Sequence, residues 1–215
     1  MDQRVMHKLS YGLFILTARD GDKDNGCIIN TAIQAASEPN QISICVNKLN
    51  FTHDMIRRTG EFTVSILSRE ASFDLFKHFG FQSGQNVDKF KNFAECARGA
   101  NGIYYITKGT NAFISVKVNK MEELGSHTMF VGEITDMEVL SETASATYEY
   151  YHENIKPQPA AGTDSAESAG AADGGQTIWR CRICGYEYVG EELPEGFICP
   201  ICKHPQSDFE VHERN

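Results

Sequence analysis

Apolar residues come in short runs or in alternation over most of the first 155 positions, and strand patterns outnumber helical ones. Residues 11–19 are rich in β-formers, and the apolar stretch 13–16 breaks at once into Thr17, Arg19 and Asp20. That reads as a buried strand; it is too short for a membrane span and lacks the flanks of a signal peptide. Residues 27–36 and 42–47 predict two more strands, separated by the turn signal Ser37-Glu38-Pro39-Asn40. Residues 62–67, 112–118 and 129–139 continue the series. Two helices interrupt it. One is expected to start with Thr52 as its N-cap and to stop at Gly60. The other is expected over residues 70–79, ending before Gly80. The pattern predicts a mainly β fold, a closed or partly closed barrel with helical insertions.

Composition changes sharply at residues 156–176, where six Ala, four Gly and two Pro occur without a large apolar side chain. Such a segment cannot build a core and reads as a flexible linker, with an r.m.s. span of about 25 Å. The expected organisation is therefore a large domain over 1–155, a tether over 156–176 and a small domain over 177–215. The net charge is −9, and none of the three segments is basic. Nucleic acid and anionic membrane surfaces are thereby disfavoured as partners, and a cytoplasmic protein is expected.

Four of the seven cysteines fall in two C-x-x-C pairs, Cys181/Cys184 and Cys199/Cys202, with fourteen residues between the pairs. Each pair can offer two thiolates to one tetrahedral metal ion. Spacing alone does not choose between zinc and iron. Trp179, Tyr186, Tyr188, Phe197 and Phe209 surround the pairs. Such rings can shield a redox centre, or simply give a tiny domain its core. Cys184-Gly185-Tyr186, Phe197, Cys199-Pro200-x-Cys202 and His204-Pro205 with Phe209 resemble the short rubredoxin module that ends rubrerythrins and rubredoxin fusions. Lys203 departs from that pattern, where many rubredoxins carry Gly. The resemblance implies a single iron ion held by the four thiolates and carrying one electron at a time.

The large domain has neither G-x-G-x-x-G nor a P-loop. Its candidate cofactor site is Asn30-Thr31-Ala32-Ile33-Gln34, expected on one strand, with the stretch from Asn47 through Lys48, Asn50 and Thr52 to His53. The second stretch opens a helix, whose N-terminus suits a phosphate. The first can meet a flat heterocycle. Thr52 as a plain cap and Lys48 as a solvated loop residue are the bland alternatives. Together with Gly26-Cys27-Ile28-Ile29, Pro39, Phe62-Thr63-Val64-Ser65-Ile66-Leu67, Phe79-Gly80-Phe81-x-Ser83-Gly84, Asp88-Lys89-Phe90 and His127-x-x-Phe130-x-Gly132-Glu133, these stretches resemble the flavin reductase-like, FMN-binding split barrels. The resemblance implies a homodimer. It places the flavin ring at Asn30, Thr31, Ala32 and Gln34, and the phosphate at Asn47, Lys48, Asn50 and Thr52. His127 is implied near the flavin and nicotinamide, unless it is a structural histidine at a strand start. The Ser83-Gly84 loop either closes on the flavin or is a linking turn. Cys45 reads as a packing residue. Tyr148, Tyr150 and Tyr151 either shield the flavin or bury the end of the domain.

The order barrel, linker, rubredoxin resembles the high-molecular-weight rubredoxins. It implies electron flow from NADH or NADPH through FMN to the iron, then to an acceptor such as a flavodiiron O2 or NO reductase. Two other readings stand beside it. One is a flavin or ferric-chelate reductase with an accessory metal domain. The other is a flavin-binding docking module with a structural zinc ribbon.

Overall fold

The computed structural model describes residue 5 and residues 8–157, 177–181, 187–199 and 205–212. The chain divides into two compact units, Met1–Pro157 and Gln158–Asn215. The tether expected over 156–176 lies almost wholly outside the described residues.

The first unit runs β1 (Phe14–Asp20), β2 (Lys23–Ile29), β3 (Ala32–Ser37), β4 (Asn40–Asn47), α1 (Phe51–Thr59), β5 (Glu61–Leu67) and α2 (Phe73–Gly80). It continues with β6 (Cys96–Arg98), β7 (Tyr104–Ile106), β8 (Thr110–Leu124), β9 (His127–Val139) and the short α3 (Tyr148–Tyr150). Seven strands form one sheet in the order β2-β1-β5-β8-β9-β4-β3. All its neighbouring pairs are antiparallel.

The sheet is rolled. Cys27 and Ile29 come from β2 at one edge, and Ile42, Ile44 and Val46 from β4 near the other, yet all lie in one core with Phe14, Leu16, Phe62, Val64 and Phe130. Strands five places apart in a sheet share a core only if the sheet curls. No ladder joins β2 to β3 among the described residues, so the barrel is split there. Helix α1 closes one end with Met55 and Ile56, both fully buried. It ends at Gly60, whose φ of 70° is the left-handed cap conformation that glycine takes without a Cβ penalty.

β1 is covered on both faces. Phe14 and Leu16 face the barrel interior, while Leu13 and Ile15 pack under α2 with Leu75, Phe76 and Phe79. That accounts for the unbroken apolar run, since a strand buried on both sides has no reason to alternate. Tyr151 is buried in the same outer cluster, with its ring 4.4 Å from that of Phe76. It packs the end of the domain, the second of its two sequence readings.

Three expectations change. The strand expected over 27–36 is two strands on opposite edges of the sheet, because the chain leaves β2 at Asn30 and re-enters as β3 at Ala32. α2 starts at Phe73 instead of residue 70, because a turn closed by Ala71 N–H on the Ser68 carbonyl precedes it, and it includes Gly80. β8 runs six residues beyond 118, as one arm of a hairpin whose far end is largely exposed. With water on both faces that arm has no apolar alternation to detect.

The second unit carries β10 (Ile178–Cys181), β11 (Glu187–Val189) and β12 (Phe209–His212), in the sheet order β11-β10-β12. Among the described residues, no helix is long and apolar enough to cross a membrane.

Candidate functional site

Asn30 and Thr31 form the link between the two edges of the split sheet. Thr31 is anchored on β4, with its hydroxyl donating to the Cys45 carbonyl at 2.8 Å and Cys45 N–H approaching the Thr31 carbonyl at 3.3 Å. Cys45 is thereby a half-buried partner of the link, and burial pushes its thiol pKa up, so it stays a neutral thiol. Ala32 and Gln34 follow on β3 opposite Ile44 and Ile42. Gln34 is exposed and donates to Asn40 Oδ1 at 3.0 Å. Ile33 beside it is 70% exposed. β3 is therefore an uncovered strand of mostly small side chains, a surface on which a flat heterocycle can lie.

The α1 terminus corrects the sequence reading of Thr52. Asn50 is the N-cap, and its Oδ1 accepts from Thr52 N–H at 3.2 Å. Thr52 is fully buried instead, and its hydroxyl oxygen takes a 2.9 Å hydrogen bond from Asn25 Nδ2 on β2. Asn47 braces the approach, since its Oδ1 accepts from Leu49 N–H at 2.9 Å and its carbonyl from Asn50 N–H.

Lys48 and His127 meet at the β8–β9 hairpin. Lys48 N–H donates to the Ser126 carbonyl at 3.0 Å. His127 stands opposite Asn47 in the β4–β9 ladder, and its Nδ1 lies 2.9 Å from the Ser126 hydroxyl. Lys48 Nζ forms an ion pair with Glu123, whose carboxyl it holds below the usual range by hydrogen bonding. Glu123 also accepts from Thr128, and Thr128 contacts His53 Nε2 at 2.9 Å. Thus β4, β9 and the start of α1 bring Asn47, Lys48, Asn50, Thr52 and His127 to one end of the barrel. Asn30, Thr31, Ala32 and Gln34 run along the split beside it.

Three residues at this site have no role in the sequence reading: Asn25, Lys89 and Glu123. Lys89 is 2% exposed and donates from Nζ to the carbonyls of Gly26 and Phe79, each at 2.8 Å. Burial lowers its pKa to about 8. Gly84 lies against Asn25, and a Cβ there would sit 2.1 Å from Asn25 Oδ1. That Oδ1 is buried and has no hydrogen-bond partner among the described residues. Asp88-Lys89-Phe90 was visible as a motif, but a lysine in a polar stretch carries no mark of burial.

The residues fit a phosphorylated flavin: a capped helix terminus, an adjacent buried cation, an orphaned buried amide and an open strand face. In the small unit Cys181 and Cys199 are both fully buried, in one cluster with Leu193 and Phe209, flanked by Trp179, Tyr188 and Phe197. Two thiols within one aromatic-walled cluster suit a shared metal. Cys184 and Cys202 lie outside the described residues.

Residues 6–158 match the model of the flavin reductase like domain, and residues 179–210 that of the rubrerythrin, rubredoxin-like domain. The chain belongs to the flavin reductase-like family. It is also similar over nearly its whole length to a high molecular weight rubredoxin of Moorella thermoacetica, with 33% identity over 98% of this chain and 99% of that one. A ferric-chelate reductase (NAD(P)H) of Archaeoglobus fulgidus is 39% identical over 71% of this chain and 89% of its own. Among solved structures, an NADH:FAD oxidoreductase of Streptomyces globisporus shares the fold, with a TM-score of 0.60 at 23% identity over 67% of this chain and 85% of that one. The protein is thus a flavin reductase-type NAD(P)H oxidoreductase with a fused rubredoxin-like domain.

Proposed function

We propose that this flavin reductase-like chain is an NAD(P)H:rubredoxin oxidoreductase that passes electrons through FMN to an iron centre on its own tethered small domain. It then delivers them to a redox acceptor such as a flavodiiron O2 or NO reductase. The observation that carries this reading is the presence of two cofactor-type sites on one chain: the α1 terminus beside the open β3 strand, and the buried Cys181/Cys199 cluster.

Bound FMN supplies two-electron acceptance from a nicotinamide and one-electron release, and a four-thiolate iron supplies a one-electron carrier. The chain's own residues do the positioning. Thr31, fixed by Cys45, sets the height of β3, so Asn30, Ala32 and Gln34 can hydrogen-bond or abut the ring. Asn50, Thr52 and Asn47 shape the phosphate end, with Lys48 as the nearby positive charge. FMN suits this end because its chain finishes in one phosphate, which one helix terminus can take. His127, opposite Asn47 in the β4–β9 ladder, would orient the nicotinamide or balance charge on the reduced ring. Cys181, Cys184, Cys199 and Cys202 hold the iron. The exposed β3 edge suits pairing with a second copy, in keeping with a homodimer. The linker over 156–176 keeps the iron domain within reach of the flavin domain.

Stopped-flow mixing with NADH or NADPH tests the relay. The flavin absorbance should bleach first and the ferric iron band second. Iron that stays oxidised beside reduced flavin would remove the internal relay. The similarity to a ferric-chelate reductase favours a second reading, in which the barrel acts alone. Deleting 156–215 would then leave the physiological activity unchanged.

A further inference from the structure

We draw no further inference here: the strongest candidate, the apolar patch where Met137 and Val139 on the far half of β9 stand exposed opposite Ile114 and Ala112 of β8, carries nothing, because nothing in the structure shows what covers it.

Discussion

The Lys48 ammonium sits 2.5 Å from a carboxylate oxygen of Glu123, on the hairpin that overhangs the start of α1. The cation assigned to the phosphate is thus already engaged by an anion of the same chain. Both side chains are partly exposed, so the pair is weak and exchangeable. Lys48→Ala should weaken FMN binding by about fivefold to tenfold. Glu123→Gln should strengthen it by roughly threefold at low salt, an advantage that fades at high ionic strength. Lys48 holds Glu123 below the usual carboxylate range, so the pair persists at neutral pH and is lost only as pH falls through that lowered value. A Glu123→Gln protein that binds FMN as poorly as Lys48→Ala would mean that Glu123 orients Lys48 instead of competing for it.

Gly84 and Asn25 leave no room for a side chain between them. A Cβ at position 84 would stand 2.1 Å from Oδ1 and 2.4 Å from Cγ of Asn25. Gly84→Ala should lower stability by about 1–3 kcal/mol. The penalty should shrink by more than about 0.5 kcal/mol when Asn25→Ala is already present. Denaturant melts of the two single variants and the double variant check this; strict additivity would contradict the contact.

The α1 cap is Asn50, and its removal is separable from that of Thr52. Asn50→Ala should cost about 1 kcal/mol through the lost bond to Thr52 N–H. Thr52→Val keeps the cap but strips the buried Asn25 amide of its one hydrogen bond, at roughly 1–3 kcal/mol. Thermal melts of both variants, with FMN titrations alongside, should show the two effects.

In the small unit, Cys181→Ser or Cys199→Ser should remove the metal and loosen the cluster around Phe209, while the flavin spectrum stays unchanged. Metal analysis of protein from iron-replete cells should find iron in the wild type and little in either variant. Zinc in the wild type would point to a structural ribbon.

Much of the fold was legible because a strand with one covered face writes that face into the sequence. β4 and β5 stand within two residues of their expected limits, and Ile42, Ile44 and Val46 of β4 point inward as their alternation implies. The limits of legibility are equally specific. Asn30 and Thr31 have no local signal for a break, since the chain leaves the sheet there only because the barrel is split. Thr52 passes for a cap because its chemistry permits one. It is displaced because Asn25, 27 positions earlier, needs its hydroxyl inside.

The amino-acid sequence by itself determined the β-rich character of the large domain, the composition break at 156, and the paired cysteines. Each of these is written in neighbouring residues, as period, composition or spacing. Only the tertiary structure decided that Glu123 meets Lys48, that Asn25 fills the space under Gly84, and that buried Lys89 donates to the Gly26 carbonyl. Those facts join residues dozens of positions apart. Burial and charge pairing depend on what the rolled sheet brings together, and no local pattern encodes that.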